Sequence, residues 1–432
     1  MRVLIVTFPH KTHLFNVVPL AWSLHTAGHE VRVASEPDLL DTVTGAGLTA
    51  VSVGSGITAA ERMRRALRDG SLPPRGGAEP AALFDLGPDR ERLSWPELTG
   101  LYDFFVVPQA KVFNEAIMDD LVGFCREWQP DLVLWGAKTY AGAVAAAAVG
   151  AVHARVLYSV DVYSRMREDF LHAKALRPPA ERVDGLRDWL SGWTARYGAE
   201  FSEDLVSGDF TIDPLPEPFR LEHRPNTLPV QYVPYNGPAV VPSWLPERPQ
   251  APRVLMTFGV SMTEGMHVLS VERIQETLDS MSDLDMELVL TLPEAFQRRL
   301  SRVPANTRLV ESVPLPAILP SCAAVVHHGG AWSFGCALRY GVPQLLISQA
   351  FDAPLKFSCL SRTGAGLSMA PSDVDGPTVR AAVARLLEDR SFRTNAQRLR
   401  QEVLTMPTPN ELAETLESLV AGHRAGAVLA AS

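Results

Sequence analysis

The chain of 432 residues contains only four cysteines, and their spacing excludes the two roles in which cysteines organise a fold. Cys125, Cys322, Cys336 and Cys359 form no CxxC pair and no Cys/His spacing of the zinc-binding kind, so neither a disulfide framework nor a zinc site is expected. No apolar run approaches the roughly 20 residues that a membrane-spanning helix needs. Met1 and Arg2 lead directly into a strand without the features of a signal peptide, and we expect a cytoplasmic protein.

Positive charge is also scarce. The 40 Lys and Arg residues are outnumbered by 49 Asp and Glu, which gives a formal net charge of −9. Proteins that bind nucleic acid carry clustered basic residues, so this composition argues against such a partner. The turn after the first strand, TFPHKTHLF, has no GxGxxG pattern, which argues against an NAD-dependent dehydrogenase.

What the sequence does have is a repeated alternation of strands and helices. RVLIVTF at the N-terminus is a continuous apolar run typical of a parallel strand buried on both faces. The helical stretch VVPLAWSLHTAG and the strand EVRVAS complete a βαβ unit. A second series starts with RVLMTFGV and includes AAVVHH and PQLLISQ. The pattern predicts an α/β fold whose second half repeats the architecture of the first.

A proline-rich segment separates these halves. Residues 234–253 contain six prolines, which sustain neither a helix nor a central strand. We place a linker at 236–252, between an N-terminal domain at 1–235 and a C-terminal domain at 253–409, followed by a final helix at 410–432. The charged region from Thr58 to Asp119 is interpreted as an insertion.

The segment AAVVHHGGAWSFGCALRYGVPQLLISQ carries the clearest chemical signal. A strand ends in two histidines and two glycines, and a helix follows, so free N–H groups at the helix N-terminus face the carboxyl end of a parallel sheet. His328 can donate to a phosphate oxygen, Gly329 and Gly330 let the backbone approach, and Ser333 adds a hydroxyl in the first turn. A diphosphate fits this turn.

Together with TFPHKTHLFNVVPLAWSLHTAGHEVRVAS, the same segment resembles the GT-B glycosyltransferases of antibiotic biosynthesis, of the family-1, inverting type. YDFFVVPQAKVFNEAIMDDLVGFCREWQPDLVLW and DVYSRMREDFL look most like transferases of TDP-deoxysugars or aminodeoxysugars to polyketide aglycones, the desosaminyl and rhodosaminyl type. The resemblance implies two Rossmann-like domains facing across a cleft. The N-terminal domain would bind the acceptor, the C-terminal domain the nucleotide sugar, and the final helix would pack back on the first domain.

The resemblance also assigns the catalytic base. His13 lies in the loop after the first strand, at the family position of the imidazole that takes the acceptor proton. Relatives orient this histidine with an aspartate after the PDLVLW strand, where this chain has Gly136. Three explanations stay open: another acid such as Asp161 substitutes, the acceptor is itself acidic, or the chain is weakly active or inactive. The nearby His10 is a competitor.

Further donor-site residues follow from the same resemblance. Ser261 matches a phosphate-contacting position, Val313 the base-binding segment, and Gln349 and Asp352 the sugar-binding segment. The usual Asp-Gln pair reads Asp352-Ala353 here, and the loss of an amide suits a deoxygenated sugar. Relatives usually have a small residue where this chain has Trp332. Five aromatic residues could line an aglycone pocket: Phe15, Trp135, Tyr140, Tyr158 and Tyr163.

The sequence therefore predicts an inverting transferase of TDP-deoxysugars or aminodeoxysugars to a macrolide or aromatic polyketide, without a cofactor or metal ion. The resemblance further implies a P450-like auxiliary protein that contacts Thr58 to Asp119, and a homodimer is also expected. Two alternatives remain, a non-catalytic partner subunit of the same fold and a nucleotide-sugar epimerase. The exact sugar, the aglycone and the choice between O- and C-glycosylation are left open.

Overall fold

A computed structural model describes residues 1–54, 56–72, 93–220, 226–247, 249–259, 269–350 and 352–431, with side chains to 423. The chain divides into two compact units. The first comprises Met1–Pro214, Leu221–Gly237 and Pro407–Ser432, and the second comprises Leu215–Arg220 and Pro238–Met406. The segment Leu215–Arg220 thus belongs to the second unit although it lies within the predicted N-terminal range.

The first unit is built on a parallel sheet whose strand order is β3-β2-β1-β4-β5-β6-β7. Its strands are β1 (Arg2–Val6), β2 (Glu30–Ser35), β3 (Thr49–Ser52), β4 (Leu132–Gly136), β5 (Val152–Val156), β6 (Phe210–Asp213) and β7 (Thr227–Pro229). β4, and β1 after the exposed Arg2, are apolar because both faces of these central strands are covered. The order of the first six strands is that of the Rossmann fold.

The helices of the first unit connect these strands. They are α1 (Lys11–Thr26), α2 (Leu40–Gly45), α3 (Ala59–Arg68), α4 (Trp95–Leu101), α5 (Val107–Trp128), α6 (Tyr140–Ala147), α7 (Val162–Ala175), α8 (Gly185–Tyr197) and α9 (Asp204–Ser207). Short 3-10 helices lie at Pro37–Leu39 and Pro179–Glu181, and a π-helical segment at Tyr102–Val106. α5 packs on α6, so residues 107–119, which we interpreted as part of an insertion, belong to a helix of the fold itself.

The second unit has a parallel sheet in the order β10-β9-β8-β11-β12-β13. Its strands are β8 (Arg253–Thr257), β9 (Glu287–Thr291), β10 (Thr307–Val310), β11 (Cys322–His327), β12 (Gln344–Ile347) and β13 (Gly366–Met369). Its helices are α10 (Val271–Ser280), α11 (Glu294–Gln297), α12 (Leu315–Ile318), α13 (Ala331–Tyr340), α14 (Ala353–Thr363), α15 (Gly376–Glu388) and α16 (Arg390–Thr405), with 3-10 helices at Glu217–Phe219, Leu319–Ser321 and Pro371–Asp373. The α/β class with two Rossmann-like sheets is confirmed.

The last helix, α17 (Pro409–Ala431), belongs to the first unit. Its buried residues Leu412, Leu416 and Val420 join the core that β1 and α1 form. His29, at the entry to β2, bonds from Nε2 to Glu417 Oε1 at 2.9 Å, which gives this histidine a structural role. No helix in the described residues is long and apolar enough to cross a membrane.

Candidate active site

A small pocket in the first unit lies where β1, β4 and β5 end. Carboxyl ends of parallel strands are the usual location of ligand sites in such sheets. Side chains and backbone from these strands and from α1 line the pocket: Ile5, Val6, Thr7, His13, Asn16, Val17, Leu134, Trp135, Gly136, Val156, Leu157 and Tyr158. His13 and Gly136, which the sequence analysis links, therefore line the same pocket.

His13 stands on the first turn of α1 among aromatic rings. Its ring centre lies 4.4 Å from that of Tyr158 and 5.1 Å from that of Phe8. Its ring takes part in no hydrogen bond among the described residues, so no neighbouring side chain fixes its tautomer. Burial, together with the charges of Lys138 and His10, lowers the pKa of His13 to about 3. The imidazole is therefore neutral at physiological pH and able to accept a proton.

His10, the other candidate for the catalytic base, has a structural role. It is the N-cap of α1, and its Nδ1 accepts a hydrogen bond from the Thr12 N–H at 3.3 Å. A side chain that satisfies an otherwise unpaired helix N–H stabilises the helix start. His10 is thus committed to capping, whereas His13, three residues later, presents its ring to the pocket.

The loop after β4 is held by a residue that the sequence analysis did not select. Asn114 on α5 is fully buried. Its Nδ2 donates to the Lys138 carbonyl at 3.0 Å, and its Oδ1 accepts from the Ala141 N–H at 3.0 Å. These bonds place Gly136 and Lys138 beside His13. A Cβ atom at Gly136 would meet only the Thr139 hydroxyl, at an ordinary 3.4 Å.

Asp161, suggested as a substitute for the missing aspartate, is engaged elsewhere. Its carboxylate pairs with the buried Arg155 at 2.6 and 3.2 Å and caps α7 by accepting from the Ser164 N–H at 3.1 Å. Trp135 and Tyr140, two of the aromatic candidates, are core residues with 0% and 5% exposure. Of the five aromatics, Tyr158 is the one whose ring packs on His13.

Asn16 is a second pocket residue that the sequence analysis missed. Its Oδ1 is buried and has no hydrogen-bond partner among the described residues. It follows His13 by three positions, so both side chains lie on one face of α1. Because a buried acceptor without a partner is costly, Asn16 offers a binding position for a hydroxyl beside the imidazole. The helical spacing from His13 could have indicated it.

In the second unit, the turn after β11 is anchored by a buried imidazole. His327 Nδ1 accepts the Gly329 N–H at 3.1 Å, so its Nε2 carries the proton and lies 2.9 Å from Gln344 Oε1, to which it donates. Burial lowers the pKa of His327 to about 3. His327 is therefore neutral and structural, and of the paired histidines only His328 is available as a ligand contact.

The ring of His328 fits between two glycines. A Cβ atom at Gly330 would lie 2.4 Å from Nε2, and one at Gly259 would lie 2.9 Å from Cε1. Burial and then the Lys356 charge lower the pKa of His328 to about 4, against the opposing effects of Asp352 and of a hydrogen bond to the Thr257 backbone. Gly330 thus makes room for an imidazole as well as for a ligand.

Helix α13 begins at this turn with an open N-terminus. Gly330 is its N-cap, and no described side chain forms a capping bond there. The N–H groups of the first turn and the helix dipole together favour an anion. Ser333 lies in this turn and is 4% exposed, and Trp332 is half-buried beside it.

Beneath the turn lies Lys356, which the sequence analysis did not select. Its Nζ donates to the Gly329 carbonyl at 2.8 Å and lies 2.5 Å from Asp352 Oδ2. Asp352, the predicted sugar contact, therefore forms an ion pair within the protein. An acid and a base four positions apart look like an ordinary surface pair on a helix, so their burial could not be predicted from the sequence.

The remaining predicted donor residues differ in placement. Ser261 lies outside the described residues. Val313 is buried just before α12, with 7% exposure. Gln349 is exposed after β12, next to the buried Ser348, whose hydroxyl accepts the Ala350 N–H. In the described part of the chain, no three His, Cys, Asp or Glu side chains are grouped to hold a metal ion.

Comparison with known proteins covers nearly the whole chain. Residues 22–259 match the family described as erythromycin biosynthesis protein CIII-like, N-terminal domain, and residues 275–419 match its C-terminal domain. The chain is 44% identical over 429 residues to a 10-deoxymethynolide desosaminyltransferase of Streptomyces venezuelae, covering 98% of each chain. It is 44% identical over 438 residues to an aclacinomycin-T 2-deoxy-L-fucose transferase of Streptomyces galilaeus, covering 98% and 97%.

A solved structure shows the same likeness. The glycosyltransferase VinC in complex with dTDP matches with a TM-score of 0.86 and 34% identity, covering 98% of this chain and 100% of that one. The ligand in that complex is a nucleoside diphosphate, the class of anion that the turn at His328 suits.

Proposed function

The chain belongs to the erythromycin biosynthesis protein CIII-like family of glycosyltransferases, and on that premise we propose that it moves a deoxysugar or aminodeoxysugar from a TDP-sugar to a polyketide aglycone. The anomeric carbon is inverted in the transfer. The observation that carries the proposal is the uncapped N-terminus of α13 behind His328, whose free N–H groups suit a diphosphate leaving group.

The first unit supplies the base. The acceptor hydroxyl gives its proton to His13 while its oxygen forms the new bond to the anomeric carbon, and the bond from that carbon to the diphosphate oxygen breaks. Asn16 Oδ1 accepts a hydrogen bond from a second donor group of the acceptor. Since burial and Lys138 keep the pKa of His13 near 3, an acceptor hydroxyl of lowered pKa is the most readily deprotonated partner.

The second unit binds the donor. N–H groups of α13 and the His328 ring stabilise the charge that develops on the departing diphosphate. We propose that this stabilisation needs no metal ion, and we expect transfer to persist in EDTA. In the proposed sugar subsite, Asp352 is paired with Lys356, and Ala353 stands where relatives have an amide side chain. This subsite suits a sugar with few hydroxyls, because unmatched buried polar groups are unfavourable.

We also propose that a P450-like auxiliary protein binds near α3 and α5, within the region from Thr58 to Asp119, and that the enzyme forms a homodimer. The charge pattern of α3, where Glu61 pairs with Arg64 and Arg65 on an exposed face, offers a polar surface for such contact. Co-purification with candidate auxiliary proteins, and light scattering of the purified chain, measure these two associations.

The central experiment incubates the protein with a panel of TDP-sugars and with macrolactone and anthracyclinone aglycones, with and without the auxiliary protein. Mass spectrometry identifies products, and NMR coupling constants assign the anomeric configuration. A glycoside of inverted configuration is the expected result. Thymidine diphosphate binding without turnover across the panel would favour the non-catalytic subunit, and an altered sugar formed from donor alone would favour the epimerase.

A further inference from the structure

Lys356 is one of the most deeply buried charged residues in the second unit, with 1% exposure. An ammonium group has three donors. One contacts the Gly329 carbonyl oxygen at 2.8 Å, and one contacts Asp352 Oδ2 at 2.5 Å. The ammonium also lies 5.3 Å from the ring centre of Phe334, within the range of a cation–π interaction. Contacts within the protein thus use the hydrogen-bonding capacity of the Lys356 ammonium group, so its role follows from the protein groups that it binds.

Lys356 binds the backbone of Gly329 through the carbonyl of the Gly329–Gly330 peptide. The Gly329 N–H donates to His327 Nδ1 at 3.1 Å, and the Gly329 carbonyl accepts from Lys356. The backbone at Gly329 has a φ of +81°, a left-handed conformation that glycine adopts without steric cost. Two buried side chains on different elements therefore fix the two peptide planes that flank the Gly329 Cα, and the second of these carries the Gly330 N–H at the start of α13.

The orientation has an electrostatic consequence. A carbonyl oxygen carries partial negative charge, and one that faced the anion site would oppose the N–H groups of α13. With the carbonyl bound to buried Lys356, that oxygen is turned into the protein interior. We infer that Lys356 is a positioning residue of the donor site, which holds the Gly329 carbonyl inward so that the turn presents only donors to the diphosphate. The inference rests on the proposed function.

A role in stability alone explains the buried Lys356–Asp352 pair less well. Replacing a buried ion pair by apolar residues is often neutral or stabilising, because both charges must be desolvated. A Lys–Asp pair at this turn is therefore not needed to keep α14 folded. The desolvation cost of the Lys356–Asp352 pair has a reason if the pair orients the Gly329 carbonyl for ligand binding.

The test uses thymidine diphosphate as the probe, calorimetry for affinity and thermal unfolding for stability. Because Lys356→Met alone leaves Asp352 buried without its partner, the main variant is the double substitution Lys356→Met with Asp352→Asn. Asp352→Asn alone keeps the bond from Lys356 to Gly329. Lys174→Met is the matched control, since Lys174 also pairs with a buried aspartate, Asp184, at 2.6 Å, but in the first unit.

We expect the double variant to unfold close to the temperature of the unmodified protein and to lose at least about tenfold in thymidine diphosphate affinity, the scale of a charge-assisted hydrogen bond. Asp352→Asn alone should lose less thymidine diphosphate affinity than the double variant, because it keeps the bond from Lys356 to the Gly329 carbonyl. Lys174→Met should keep that affinity within about threefold. Binding of thymidine, which has no phosphate, should not change between the unmodified protein and the double variant.

Three results would overturn the inference. The double variant could bind thymidine diphosphate as the unmodified protein does, Asp352→Asn alone could account for the whole loss, or thymidine binding could fall by the same factor. In each case the proposed donor would stand. Failure of the unmodified protein to bind thymidine diphosphate would instead reject the proposed donor, and the positioning role with it.

Discussion

The two units share the order of their first six strands but place their chemistry after different strands. In the first unit the proposed base, His13, follows β1, and the end of β4 carries Gly136. In the second unit the counterpart of β4 is β11, and its end carries the histidine-glycine turn. Capping explains part of the difference: a histidine side chain fills the N-terminus of α1, whereas no described side chain caps α13. We therefore expect an anion to bind at the open start of α13 and not at the capped start of α1.

The units also differ in how many hydrogen bonds fix the residues of their candidate sites. The ring of His13 forms no hydrogen bond with a described residue, while in the second unit His327, Gly329 and Lys356 are bonded to one another or to their neighbours. A base must change its hydrogen bonding during the reaction, whereas a site for developing charge works best when it is preorganised. The comparison predicts that variants of the first unit impair turnover and that variants of the second impair donor binding.

The largest effect is expected for His13→Ala. Loss of a general base typically reduces the rate by about 10²–10⁴-fold. Because His13 belongs to the first unit, thymidine diphosphate affinity should be unchanged. Steady-state kinetics with the best donor and acceptor, and calorimetry with thymidine diphosphate, measure the two quantities. His25→Ala is the control, since His25 is an exposed histidine on the same helix. A variant that kept nearly full activity would exclude His13 as the base.

The second effect concerns Gly330→Ala. The new methyl group would lie 2.4 Å from His328 Nε2, so the ring must leave its position. We expect thymidine diphosphate affinity to fall by about 10–100-fold, the value of one hydrogen bond to a charged group. Gly192→Ala is the control, because a Cβ atom there meets nothing within 4 Å. Unchanged affinity in Gly330→Ala would show that the His328 ring is not part of the donor site, and the contrast between the units would fail.

Those features of the two units that depend on local sequence patterns could be predicted from the sequence. The apolar runs of β1 and β11 and the Gly-Gly turn identified the sheets and the turn, because buried parallel strands and helix starts have local signatures. Lys356 could not be predicted, since its burial depends on how α14 packs under a turn 27 positions earlier. The helix α5 was misread because the charged residues around it obscured its buried face, which includes Phe113, Ile117 and Leu121.

The smallest effect on the reaction rate is expected for Gly136→Asp, which tests the electrostatics around His13 through the pH profile. In the unmodified protein the pKa of His13 is about 3, so the imidazole stays unprotonated and kcat/KM should be flat from pH 8 down to about pH 5. A carboxylate at position 136 would oppose the charge of Lys138 and stabilise the imidazolium, which raises the pKa of His13. The acid limb of the profile then moves toward neutral pH, and the rate at pH 8 rises a few-fold because a stronger base accepts the proton.

Gly136→Asn separates charge from shape in this experiment, because it adds a side chain of the same size without the negative charge. It should leave the pH profile of the unmodified protein in place. Identical profiles for the two variants would mean that position 136 does not act on His13 electrostatically, and an acid limb near pH 6.5 in the unmodified protein would mean that His13 is more exposed than the pocket indicates. A shift with aspartate alone would show that a charge at position 136 raises the basicity of His13, which burial and then the charge of Lys138 lower in the unmodified protein.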